Sequence, residues 1–144
     1  MTPPSRPKRP VTADFSTVRA KLQPRQVALQ MGRAAEAAVV SDLARRGLSI
    51  VATNLRLGRL ELDVVARDQD TVVVVEVRHR GKGAWQTGLA SIAPAKAKRV
   101  RAAGERLWRE RFLRDASVNR MRFDVAVVTF EGGEARIEYA LGVM

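Results

Sequence analysis

Between Gln26 and Arg46 apolar residues recur every three or four positions, with Leu29, Val39, Val40 and Leu43 along one side of an alanine-rich segment and Gly47 as a stop. That spacing predicts a helix. Downstream the period shortens to two, and residues 49–57, 59–67 and 71–79 read as strands. Leu60, Leu62, Val64 and Ala66 alternate strictly with Glu61, Asp63 and Val65. The run from Val72 to Val77 is apolar throughout except for Glu76, as in a strand covered on both faces. Asp68, Gln69 and Asp70 separate the last two runs and predict a hairpin. Pro94 opens a second helix reaching about Leu113, and residues 121–130 and 134–141 flank a Glu131-Gly132-Gly133 turn as a final strand pair. The order αβββαββ predicts an α/β domain with a mixed central sheet.

The 144 residues, 46% of them hydrophobic, suit one compact domain with a real core. Residues 1–25 differ from the rest. They hold five of the six prolines, carry a net +5 and show no sustained period, so they read as a flexible basic arm ahead of a domain at 26–144. The whole chain is +11, with 26 Lys and Arg against 15 Asp and Glu, and 21 of the cations are arginine, the side chain suited to bidentate phosphate contact. A nucleic acid, DNA before RNA, is the expected partner. The N-terminus lacks the apolar core of a targeting signal, and no run approaches the roughly 20 apolar residues of a membrane helix, so a cytoplasmic protein without a membrane partner is expected. With no cysteine and one histidine, His79, thiol catalysis and Cys-based zinc sites are excluded and His-pair metal sites removed. Chemistry would come from carboxylates, Lys, Arg and a recruited metal.

On a helical wheel Glu36 falls among Leu29, Val40 and Leu43, which predicts a carboxylate aimed at the core. There it needs a cation, a donor, a metal or a proton. A hairpin turn centred between Gln69 and Asp70 sets Asp63 opposite Glu76 and Glu61 opposite Arg78. Opposed carboxylates are unfavourable in a sheet, and a hard divalent cation, a shared proton or Arg78 would relieve them. Oxygen ligands alone fit Mg²⁺ or Mn²⁺, which at such a site would polarise a phosphodiester and activate water.

These residues resemble the YraN-like proteins, the uncharacterised bacterial family 0102, whose fold is related to the PD-(D/E)XK nucleases and especially to archaeal Holliday-junction resolvases. The likeness covers residues 25–128. It rests on Gly32 to Glu36, on Asn54 and Arg56 followed by Leu60 to Asp63, on Val75 to Arg80, on Lys96 to Val100, and on Arg122 to Asp124. It implies a restriction-endonuclease-like αβββαββ core in which Glu36, Asp63 and Glu76 take the metal-site roles and Arg78 stands at the catalytic lysine's position. Three departures stand out: Ala35 and Leu60 replace glycines usual in the family, and Arg78 replaces a lysine. Arginine stays protonated and cannot act as a base, although it can hold a phosphate.

Nucleic acid would meet the second helix, where Lys96 starts on the core side near the carboxylates while Lys98, Arg99, Arg101, Arg106 and Arg109 fan across the opposite face. It would also meet the loop that carries Arg80, Lys82 and Trp85, where Trp85 serves either as a stacking platform or as a core anchor. Trp108 and Phe112 read as packing residues, and Arg122 with Asp124 as a structural ion pair. Three readings of function follow. One is a Mg²⁺- or Mn²⁺-dependent endonuclease acting on structured or branched DNA. The second is a binding module of the same fold without turnover. The third is a basic assembly protein of a ribonucleoprotein, its carboxylates purely structural. A homodimer would suit symmetric action on a junction, but no dimer interface is legible in the sequence.

Overall fold

A computed structural model describes residues 23–80 and 92–144; the arm over residues 1–22, together with Lys82 and Trp85, lies outside the described residues. Helix α1 spans Pro24–Arg45, so Pro24 and Arg25, expected in the arm, form its first turn. Proline needs no hydrogen-bond partner there, and Gln23 N donates to Gln26 Oε1 at 3.0 Å. Three strands follow, β1 (Ser49–Leu57), β2 (Leu60–Asp68) and β3 (Thr71–Arg80). Helix α2 (Pro94–Leu107) leads to β4 (Arg120–Glu131) and β5 (Glu134–Ala140). The five strands lie in the order β1-β2-β3-β4-β5, antiparallel except where β4 runs parallel to β3. The crossover between parallel strands contains α2, as parallel pairing requires.

The two helices cover opposite faces of the sheet. Under α1, Ala35, Val39 and Leu43 pack on Val64, Ala66, Val73, Val75, Ala126 and Val128. Under α2, Val100, Ala103 and Leu107 pack on Val65, Val72 and Val74. This is why β3 is apolar on both sides. Tyr139 on β5 closes the α1 side: its hydroxyl donates to Asp42 Oδ2 at 2.7 Å, and Arg46 lies 4.9 Å over its ring.

Three expectations need correction. Leu29 does not belong to the buried stripe of α1: it is 58% exposed, because the stripe runs through Ala35, Val39 and Leu43. The second helix is α-helical only to Leu107 and continues as a π turn over Trp108–Phe112, closed by Leu113 N donating to Trp108 O at 2.8 Å. Leu107 and Phe112 are both buried and five positions apart, a spacing that the wider turn brings toward one face. Trp108 packs beside Phe112, as expected of both. The strict alternation of β2 also fails, since Leu62 joins Val65 under α2 while Val64 and Ala66 lie under α1.

Arg122 and Asp124 pair on β4 as the sequence suggests. Arg122 Nε and Nη2 both donate to the Asp124 carboxylate at 3.0–3.1 Å, and Gly142 N donates to it at 2.8 Å. The chain end is thereby tied to the sheet, with Val143 N donating to Phe123 O at 3.0 Å.

Gly104 marks the closest approach of α2 to the sheet. A Cβ there would stand 2.5 Å from Phe123 Cζ and 3.2 Å from Met121 Sδ. Gly104→Ala improves helix propensity by about 1 kcal/mol, but forcing a methyl into this contact costs about 1–3 kcal/mol. The variant is therefore expected to melt a few degrees below the wild type. A higher melting temperature would mean that the Phe123 ring yields freely.

Candidate functional site

β2 and β3 pair in the expected register, from Asp68↔Thr71 to Val64↔Val75, and then part. Along that ladder the next closely bonded couple would be Leu62 with Val77. Instead, Val77 N donates to Asp63 Oδ2 at 2.9 Å. The side chain has replaced the ladder, and each strand follows its other neighbour: β2 stays with β1, through Leu62↔Leu55 and Glu61↔Arg56, while β3 stays with β4 as far as Arg80↔Thr129. Asp63 sits in the crotch of this fork. Its counterpart on β1 is Asn54, whose φ of 47° is a left-handed conformation that asparagine tolerates better than most residues. The kink at Asn54 and the break at Asp63 coincide with the switch in facing between Leu62 and Val64. Glu61 accordingly does not face Arg78 as expected; it is exposed, across from Arg56.

Glu76 is 6% exposed, one step past the last paired residue of the hairpin. Lys96, in the first turn of α2, reaches it with Nζ 3.2 Å from Oε1. Burial and the neighbouring Asp63 charge push the Glu76 carboxyl up to about 7, and Lys96 only partly opposes them. An ion pair alone would have the opposite effect, so desolvation and like charge outweigh it here. The proximity of Asp63 is thus one of the causes that raise Glu76.

Glu36 does not point into the core as expected. Ala35 occupies that direction, and Glu36 is half-buried on the shoulder of α1. Burial raises its pKa, a hydrogen bond with Asn54 opposes the rise, and the Asp63 and Glu61 charges add to it. Asp63 is thus the group that both Glu36 and Glu76 feel. Among the described residues no three or more His, Asp or Glu side chains stand close enough together to hold a metal ion. The donor set is a carboxylate pair. Magnesium commonly takes one or two protein carboxylates and completes its shell with water and phosphate oxygens, so Asp63 and Glu76 fit such an ion in number and type.

Arg78 is half-buried, two positions after Glu76 and, by strand alternation, on the same side of β3. Arg80 is half-buried at the strand's end. Lys98, Arg99, Arg101, Arg106 and Arg109 are exposed on α2 and the π turn, opposite the buried Val100, Ala103 and Leu107. Arg106 is also bonded to Glu110 at 2.9 Å. Sequence reasoning left out the roles of Asn54 and Val77. Asn54 could have been found as a polar, turn-favouring residue inside a strand; a backbone N–H leaves no mark in sequence. No described helix is long and apolar enough to cross a membrane.

Comparison with known proteins agrees in extent with this core. A model of the uncharacterised protein family UPF0102 matches residues 35–128, which contain Glu36, Asp63, Glu76 and Lys96. A UPF0102 protein of Sorangium cellulosum is 55% identical over 109 residues, covering 75% of this chain and 76% of its own. Another, of Anaeromyxobacter dehalogenans, is 40% identical over 110 residues (76% and 79%). A third, of Streptomyces coelicolor, is 37% identical over 115 residues (78% and 87%).

Proposed function

The chain belongs to the uncharacterised protein family UPF0102, and we propose that it is a nucleic-acid-binding protein of the PD-(D/E)XK nuclease-like fold that engages a phosphodiester at the Asp63–Glu76 fork. The observation that carries this reading is the strand fork itself, where Val77 N holds the Asp63 carboxylate and the buried Glu76 carboxyl meets Lys96 beside the cationic face of α2. A structural pair would be expected inside an unbroken ladder; this one interrupts the ladder and leaves strand ends apart. Asp63 and Glu76 would hold Mg²⁺ or Mn²⁺, which when bound supplies a Lewis acid for a phosphate oxygen. Val77 N fixes the orientation of Asp63, Asn54 holds Glu36 near Asp63, and Arg78 clamps phosphate. Lys98, Arg99 and Arg101 contact the backbone, so affinity is set by charge and falls steeply with salt.

Arg78 favours a second reading, a binding module with little or no turnover, because its guanidinium cannot accept a proton. One set of measurements tests both. Mg²⁺ or Mn²⁺ is expected to raise the melting temperature of the wild type but not of Asp63→Asn, because a ligand specific to the native state stabilises it by mass action. An equal response of the two proteins removes the site. Incubation with single-stranded, duplex, flap and four-way-junction DNA and with RNA, beside Glu76→Ala, separates an enzyme from a binder. Arg78→Lys sharpens that test: gain of metal-dependent cleavage marks a degenerate nuclease, and loss of an existing rate marks an electrostatic clamp.

A further inference from the structure

The Asp63–Glu76 pair, when fully ionised, carries two negative charges, and the ammonium of Lys96 lies against Glu76. The two ends of this ion pair differ sharply in environment: the Glu76 side chain is 7% exposed and that of Lys96 44%. The amine therefore sits at the mouth of the site, with water on one side and the buried carboxyl on the other. Its stem rises from the third position of α2, just after Pro94, where the free N–H groups of the helix start favour an anion. A buried acid paired with a singly charged ammonium that is open to solvent is built for exchange.

Resting on the reading above, we propose that Lys96 is a positioning cation that couples metal to substrate: without a divalent ion it neutralises Glu76, and with one it is released to contact a nucleic-acid phosphate. The charges motivate the exchange. A divalent ion brings twice the charge of the ammonium it replaces, so the ionised carboxylate pair favours it. The displaced Lys96 then faces the helix start and solvent, where a phosphate oxygen is its natural partner. Metal and nucleic acid should each strengthen the binding of the other by the same factor, as linkage requires.

The test compares the full chain with Lys96→Met, which keeps the apolar stem and removes the charge. Mn²⁺ affinity is read from the free-ion EPR signal at pH 8.5 without oxygen, above the range in which Glu76 takes a proton in the wild type. DNA affinity is read by anisotropy on a phosphorothioate-linked duplex with and without Mn²⁺. Lys96→Met is expected to bind Mn²⁺ roughly three- to tenfold more tightly, having lost a competing cation. It should also lose the gain in DNA affinity that Mn²⁺ gives the wild type. A merely structural lysine would not move the two affinities in opposite directions. Unchanged or weaker Mn²⁺ binding by a folded Lys96→Met, or a full Mn²⁺-dependent gain in its DNA affinity, overturns the proposal while leaving the carboxylate site in place. A wild type that binds neither Mn²⁺ nor DNA overturns the functional reading and this proposal together.

Discussion

Raising the pH from about 5 to 8 without divalent cations is expected to destabilise the folded chain by about 3 kcal/mol through Glu76 alone, given a carboxyl raised from 4.5 to about 7. Between these values the folded chain keeps a proton that the unfolded chain has already released. Unfolding therefore releases a proton, and each step up in pH favours it until the folded carboxyl has ionised as well. The loss levels off as the pH passes through about 7 and is nearly complete by pH 8. Glu36, also raised, adds a contribution of the same sign. Asp70 and Asp115 are lowered, chiefly by hydrogen bonds from Asn119 and Ser117, and their contributions run the other way, being lost only as the pH falls below the ordinary carboxylate range. Glu76→Gln should flatten most of the slope between pH 5 and 8 and be more stable than the wild type at pH 8. Denaturant unfolding across this range, with and without Mg²⁺, reads the effect. A wild type as stable at pH 8 as at pH 5 would mean that Lys96 fully compensates the pair.

The elements were legible because their causes are local. The β-branched run of β3, the polar Gln69–Asp70 turn, and Pro94 at the start of α2 declare themselves without knowledge of tertiary contacts. Even the hairpin register could be read, since a two-residue turn fixes it. The fork could not. Whether Val77 bonds to a backbone carbonyl or to the Asp63 side chain depends on β1 and β4 pulling the strands apart, and on Asn54 adopting a left-handed conformation. That single break accounts for the wrong face given to Leu62 and the wrong neighbour given to Glu61. The error over Glu36 has a different origin. A helical wheel weights Leu29 heavily, but Leu29 lies near the helix start, where it is exposed, and the contact with the sheet is made by the small Ala35 and by Val39. Lys96 was legible because helical spacing alone carries its stem from the core face toward the carboxylates.

Arg122→Met is expected to destabilise the fold by about 3–5 kcal/mol, more than Asp124→Leu, although each removes the same ion pair. The asymmetry comes from what is left behind. Asp124 is 2% exposed, and with Arg122 gone its carboxylate keeps the Gly142 N–H but loses both guanidinium bonds in a place water does not reach. Removing Asp124 instead leaves a guanidinium whose side chain is 35% exposed and can turn to solvent, so the loss is nearer 1–3 kcal/mol. The double variant should therefore be more stable than Arg122→Met alone, because the stranded charge is gone. The chain end provides a second readout: Gly142 N and Val143 N are held by Asp124 and Phe123, so in Asp124→Leu the Gly142 amide loses its acceptor and should exchange with solvent faster while the central strands stay protected. Equal destabilisation by the two single substitutions would mean that the pair acts only through the bond it makes, and that the burial of Asp124 carries no penalty of its own.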